Sequence, residues 1–306
     1  MSILTGVGAR PVDAPGTGQA PDRSGRRRRW LPYLLLLPGF AWLVLFFVVP
    51  TAQLGATSLY DPSGSVTAGY AMTWEFGNYP DALAYAWPQV LRSFAYAGIA
   101  TLIGIVIGYP LAYAIAQKAG RWKNLLLVCV VAPMFTSFLV RTLAWKTILS
   151  DNGALVGFLR DTGLLSADGR LLATPIAVVL GLTYNFLPFL VLPLYASLER
   201  LDTRLLEASG DLYASPARTF VKVTLPLSMP GLVAGTLLFF IPAVGDYINA
   251  ALLGNTNTAM VGNVVNSAFL SRQQPPQGAA LSFLLMALIL AIVFTYVRRA
   301  GTDEVV

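Results

Sequence analysis

Residues 199–229 read ERLDTRLLEASGDLYASPARTFVKVTLPLSM, a charged stretch between an apolar run that ends at Leu198 and another that begins at Gly231. Asp202 has the short acceptor side chain that caps helices, and Leu201, Leu205, Leu206 and Leu212 fall on roughly one side of the turns around it. Ser215 followed by Pro216 has the form of an N-cap and a first helical position, and Leu225-Pro226 is expected to end that second helix. The stretch therefore predicts two short helices joined near Tyr213-Ala214. Such a pair, apolar on one side and charged on the other, suits the groove of a partner protein. The pattern equally suits a solvated connector, and periodicity alone does not choose.

The two flanking runs belong to a longer series. Trp30–Pro50, Phe94–Ala116, Leu125–Leu143, Thr174–Leu198, Gly231–Leu253 and Ala280–Val297 are predominantly apolar. Crossing a hydrocarbon layer roughly 30 Å thick takes about 20 such residues. Of the 306 residues 56% are hydrophobic and 12% charged, against about a quarter charged in ordinary soluble domains. One water-soluble core cannot hide that much apolar surface, so the bilayer is the solvent. The expected fold is an all-α integral membrane protein, with six transmembrane helices over residues 30–300. Residues 199–229 form the loop between the fourth and fifth of these helices.

Residues 1–29 form a basic tail, of which 1–25 carry Gly, Pro, Ala, Asp and Arg without apolar periodicity, as disordered segments do. Arg26–Arg29 before Trp30 mimic a secretory or twin-arginine leader, but the apolar run exceeds a leader's core and is read as the first span. Residues 301–306 form a short second tail. With the amino terminus inside, fifteen of the 21 basic residues fall in inside segments, and Arg92, Arg141, Lys146, Arg160, Arg170 and Arg272 fall outside. That bias predicts both termini in the cytoplasm, with the loop at 199–229 on the same side. Pro110, Pro188, Pro193 and Pro242 lie within the runs, where neighbouring helices or a wet path satisfy the freed carbonyls.

Several function classes lose their footing. The chain has no histidine, which removes histidine acid/base chemistry, histidine metal ligands and Ser-His-Asp triads. Its single cysteine, Cys129, sits in an apolar run and reads as a buried small hydrophobe. Basic residues gather at particular loops, not along one stripe with aromatics, so no nucleic acid is expected as a partner. No Gly-rich phosphate loop ending in Gly-Lys-Ser/Thr occurs, so any ATP with its magnesium is bound by another subunit and this chain carries no cofactor or metal.

Residues 207–226 resemble the EAA loop of ABC importer permeases: Glu-Ala-Ala, three residues, Gly, nine residues, Ile-x-Leu-Pro. Glu207-Ala208-Ser209 stands at the first part, Tyr213 at the Gly, and Val223-Thr224-Leu225-Pro226 at the last, with the spacing kept. The resemblance implies that Glu207, Ala208, Ser209, Gly210, Asp211, Tyr213 and Pro226 belong to a coupling helix and its surround, seated in a cleft of a cytoplasmic ATPase. The sequence departs from the pattern at Ser209 and at Tyr213, where glycine gives the backbone free access to left-handed angles. Gly210 is expected to supply that freedom three residues earlier.

From about Asn78 to Arg299 the chain is similar to the membrane subunits of spermidine/putrescine-type ABC importers. The matching stretches are Gly108–Ala112, Pro133–Leu155, Pro193–Asp202, Pro242–Asn255 and Val261–Leu270. The resemblance implies a type I ABC importer permease fold in a bacterial plasma membrane and a second six-helix permease as mate. It also implies two ATPase subunits below and an extracytoplasmic substrate-binding protein above. The same architecture carrying another solute is the alternative; a stand-alone channel or carrier lacks an explanation for the loop register.

Asp246 is the only acid inside an expected span, about 22 Å from its inner start at 1.5 Å per residue. Intramembrane acids usually face a cavity, an ion path or a partner. With Tyr247, Tyr184 or Trp145 beside it, the carboxylate would suit an ammonium group by charge and cation–π attraction. The competing role is structural: Asp246 caps a break after Gly245 or pairs with Arg141 or Lys146. Those two cations are expected to reach the outer surface or an acid. Residues 146–170 are expected to form short outer helices, a platform for the delivering protein.

Overall fold

A computed structural model of the chain describes residues 31–300 apart from 66 and 167, so the tails at 1–29 and 301–306 lie outside the described residues. Those residues are helical, joined by turns, with isolated bridges Tyr60–Met72 and Ser65–Gly69 in the loop after the first span. The chain divides into two compact units at Gln53/Leu54.

The first unit carries α1 (Leu31–Leu43), a π turn (Val44–Val48) and the start of α2 (Val49–Thr57). Its side chains are apolar around the whole circumference, as suits a helix in hydrocarbon: Leu36, Phe40, Trp42 and Phe47 are all exposed.

The second unit takes over at Leu54 within α2, and its first whole helix, α3 (Asn78–Tyr113), starts well before the expected Phe94, because Pro88 is accommodated inside the helix and does not end it. The third run is broken, not straight, and Cys129 within it is exposed, not buried, because the helix that carries it turns that apolar side outward. α4 (Lys123–Val131) and a 3-10 turn through Phe135 are followed by α5 (Phe138–Ile148), bent by 97°. The bend is made by extended backbone at Thr136 and Ser137, which leaves the helical region altogether. α6 (Ala154–Asp161) follows in the outer segment, where Asp151 faces Arg160 at 3.9 Å and Arg170 at 3.4 Å. α7 (Pro175–Glu199) is opened by Thr174, whose hydroxyl accepts from the Ala177 amide.

After α8 (Thr203–Asp211) and α9 (Pro216–Thr219), the chain does not stop at Leu225-Pro226 as expected. A π turn (Phe220–Thr224) carries the helix into α10 (Leu225–Val244), and the Leu225 amide bonds back five residues to the Phe220 carbonyl. The wider turn absorbs the ring of Pro226 and its missing donor, so the second helix of the loop is the foot of the fifth span. α11 (Ile248–Leu253), α12 (Val261–Leu270) and α13 (Pro275–Ala300) complete the order. Five helices are long and apolar enough to cross a membrane, and the bent pair makes a sixth if counted as one span.

Within the second unit α3, α7 and α10 form the centre, with Ala97, Ala100, Leu182, Phe186, Leu190, Phe239 and Ala243 buried between them. Backbones approach closely because two pairs of glycines four residues apart, Gly104/Gly108 and Gly231/Gly235, face α7 or α10. A Cβ at Gly108 would stand 2.7 Å from Leu190 Cδ2, and one at Gly235 would stand 2.6 Å from the Leu190 carbonyl oxygen.

Candidate functional site

The loop between α7 and α10 is built from local signals. Asp202 Oδ1 accepts from the Arg204 amide at 3.0 Å and starts α8; Ser215 Oγ accepts from the Arg218 amide at 3.4 Å and starts α9, with Pro216 in the first turn. α8 closes with the Ala214 amide on the Ser209 carbonyl at 3.1 Å and the Tyr213 amide on the Gly210 carbonyl at 2.9 Å. This pair of bonds is a Schellman motif, which places one residue in the left-handed region just past the helix end. That residue is Tyr213, at φ 55°.

The expectation for Gly210 is therefore overturned. Gly210 lies inside α8, away from the positive-φ glycines, and a Cβ on it would meet nothing within 4 Å. Counting from the helix end, not from the nearest glycine, fixes where the left-handed angle falls. Tyr213 takes that angle at a cost of roughly 1 kcal/mol relative to glycine. Gly210→Ala is accordingly expected to be tolerated and to stabilise α8 by up to about 1 kcal/mol through helix propensity; a slightly higher melting temperature of the detergent-solubilised protein checks it.

Ser209 has a use that alanine lacks. Its hydroxyl donates to the Leu206 carbonyl at 2.7 Å and meets Thr219 Oγ1 at 2.8 Å, tying α8 to α9. Glu207, Ala208 and Asp211 are exposed along α8, and Pro226 is exposed on α10.

The second candidate region is the break between α10 and α11. Asp246 is 8% exposed, and its Oδ2 accepts from the Asn249 amide at 2.9 Å, capping the first turn of α11. Of the two roles open in the sequence, the geometry displays the cap. The ion pairs among the described residues join Lys123 to Glu199 and Asp151 to Arg160 and Arg170; none involves Asp246, Arg141 or Lys146. The Arg141 guanidinium instead lies 5.6 Å from the Phe138 ring centroid, with Nε and Nη1 buried and without a hydrogen bond, while Lys146 is exposed.

Behind Asp246 lies a polar cluster absent from the expected site. Asn185 Nδ2, on α7, donates to Asn249 Oδ1 at 3.0 Å and to Thr142 Oγ1 at 3.2 Å, and all three residues are buried. The cluster joins α5, α7 and α11, so the helix that follows each of the two breaks is tied to α7. Asn185 and Asn249 inside apolar runs were the signal for it, since a buried amide in a membrane needs a partner.

Trp145 and Tyr184 do come together, with ring centroids 5.3 Å apart. No hydrogen bond or ring contact among the described residues joins that pair to Asp246 or Tyr247. Tyr247 is 43% exposed, and with Gly245, Gly262, Asn266 and Phe269 it lines an open cavity of about 420 Å³. Its carbonyl accepts from Asn263 Nδ2 at 3.0 Å, which anchors the break to α12.

Residues 100–300 match the family model described as the binding-protein-dependent transport system inner membrane component. The chain is 41% identical over 260 residues to the spermidine/putrescine transport system permease protein PotB of Haemophilus influenzae, covering 85% of this chain and 90% of that protein. PotB of Escherichia coli strain K12 is 38% identical over 260 residues, covering 85% and 94%. The inner membrane ABC transporter permease protein YdcU of the same strain is 34% identical over 227 residues, covering 70% and 72%. Among solved structures, a chain of a bacterial ABC transporter involved in the import of the acidic polysaccharide alginate superposes with a TM-score of 0.70 at 17% identity. It covers 91% of this chain and 97% of its own length, a likeness of fold. The helical spans and these similarities together place the chain as a multi-pass protein of the bacterial inner membrane, a transport component and not an enzyme, and it belongs to the family of binding-protein-dependent transport system inner membrane components.

Proposed function

We propose that this chain forms half of the translocation pathway of an ATP-driven polyamine importer. The observation that carries the reading is the 41% identity to a spermidine/putrescine permease over 85% of the chain. A second six-helix permease supplies the other half of the wall, two ATPase subunits bind ATP and magnesium below, and an extracytoplasmic binding protein delivers the cargo. The placing of fifteen of 21 basic residues supports cytoplasmic termini and a cytoplasmic 199–229 loop.

In this reading Glu207, Ala208, Ser209, Gly210, Asp211, Tyr213 and Pro226 form the coupling surface, and its helices transmit opening and closing of the ATPase. The edge of α8 that carries Glu207, Ala208 and Asp211 is exposed among the described residues, which supports that role. Tyr247, Tyr184 and Trp145 offer aromatic faces on the pathway side of the breaks, and Asp246 fixes the break from which Tyr247 projects. A permease for another solute is the second reading, favoured by the 34% identity to YdcU, whose name specifies no cargo.

The test is uptake of labelled spermidine and putrescine by liposomes holding the purified complex with ATP inside. ATP-dependent uptake is expected, and Glu207→Ala is expected to reduce it at least tenfold, a loss of roughly 1.4 kcal/mol or more of coupling. A stable ATPase complex that moves neither polyamine would refute the cargo; uptake indifferent to Glu207→Ala would refute the coupling surface.

A further inference from the structure

The α8–α9 turn carries an unusual residue type for its backbone geometry. Tyr213 occupies the left-handed position of the Schellman turn, at φ 55°, where glycine or asparagine sits without strain. Its side chain is 97% exposed, and it takes part in none of the ring contacts among the described residues. Leu212 beside it is 81% exposed. The left-handed angle serves the backbone bonds that close α8, which glycine would serve equally, whereas among the described residues the tyrosine side chain makes no hydrogen bond or ring contact in return for the strain.

The surroundings of the tip are specific. Glu207 and Asp211, four residues apart on α8, are both exposed, so two acids stand on one face of the helix just before the apolar tip. Ser209 and Thr219 are joined at 2.8 Å behind the turn, which fixes α8 against α9 and holds the tip in one orientation. A large amphipathic ring on a braced turn has the character of an interface anchor, since tyrosine buries much area at low entropic cost.

We propose that Tyr213, with Leu212, is the anchor by which this chain grips its ATPase, inserting into an apolar pocket bordered by basic groups that meet Glu207 and Asp211. This rests on the loop being the ATPase-coupling surface and adds to it the residue that carries the contact and the chemistry of the receiving pocket. The aromatic side chain takes the place of the glycine of the related loop pattern because it works between molecules, at the expense of backbone comfort within one.

The test uses the two-permease assembly in nanodiscs and its purified ATPase. Melting of the permeases alone and their affinity for the ATPase are measured for wild type, Tyr213→Phe, Tyr213→Asn and Tyr213→Gly. The asparagine and glycine variants are expected to melt no lower than wild type and to bind the ATPase at least tenfold more weakly, with Tyr213→Phe close to wild type. Ala208→Arg, on the neighbouring exposed edge of α8, is the control for the loop. Wild-type affinity in Tyr213→Gly and Tyr213→Asn, with binding lost in Ala208→Arg, overturns the anchor and leaves the docking loop standing. Unchanged affinity in all of them overturns both. A photoreactive phenylalanine at 213 is expected to crosslink to the ATPase; a crosslink confined to lipid overturns the anchor.

Discussion

Gly235→Leu is expected to abolish the folded protein, yielding aggregate in place of a monodisperse peak when the detergent-solubilised chain is passed over a sizing column. The reason is backbone proximity. A Cβ at Gly235 would stand 2.6 Å from the Leu190 carbonyl oxygen and 3.2 Å from Leu190 Cα, and neither atom belongs to a side chain that can swing away. A Cβ at Gly231, one turn earlier, would stand 2.7 Å from the Pro193 carbonyl oxygen, so α10 presents α7 with a surface of backbone. Relieving a leucine there means separating two helices that share the buried cluster around Leu190, Phe239 and Ala243. Overpacking of well-filled interiors costs typically 1–3 kcal/mol, and immovable backbone puts this site at about 3 kcal/mol or more. Gly235→Ala is expected to lower the melting temperature measurably without loss of the peak. A sharp wild-type melt in Gly235→Leu would mean that the α7–α10 contact is looser than the structure describes.

Which features were legible depended on how far their cause lay along the chain. Asp202 and Ser215 could be read as caps because acceptor and donor lie two or three residues apart. The membrane class and the six runs were legible because composition and length decide them. The stop at Leu225-Pro226 was misread: the π turn at Phe220–Thr224 makes room for the proline, and nothing in the local sequence announces a π turn. The 97° break between α4 and α5 falls at Thr136-Ser137, just past Pro133, inside a run apolar enough overall to read as one straight span. Gly210 drew attention as the nearest glycine, while the left-handed angle belonged to whichever residue stood at the second place beyond Asp211. The glycine pairs at 104/108 and 231/235, and the asparagines at 185 and 249, were visible as residue types in apolar runs. Their partners, Phe239, Leu190 and Thr142, come from other helices and are fixed only when the helices pack.

The acid at 246 is expected to separate shape from charge. Asp246→Asn retains an oxygen acceptor for the Asn249 amide, so the variant is expected to assemble and melt like wild type. Asp246→Ala removes the acceptor and leaves the start of α11 with an unpaired buried amide, a loss of about 2 kcal/mol when the cap and the desolvation are taken together. The damage does not stay local, because Asn249 also accepts from Asn185 and so links α11 to α7. Melting temperature and yield of assembled complex in nanodiscs are therefore expected to fall for alanine and to hold for asparagine. Uptake completes the argument. With the carboxylate 8% exposed and its Oδ2 engaged by the Asn249 amide, polyamine uptake by Asp246→Asn is expected to remain within about twofold of wild type. If uptake instead collapses while assembly holds, the negative charge itself is at work on a cation in the path, and the mate subunit must open to the pathway a carboxylate that this chain alone keeps covered.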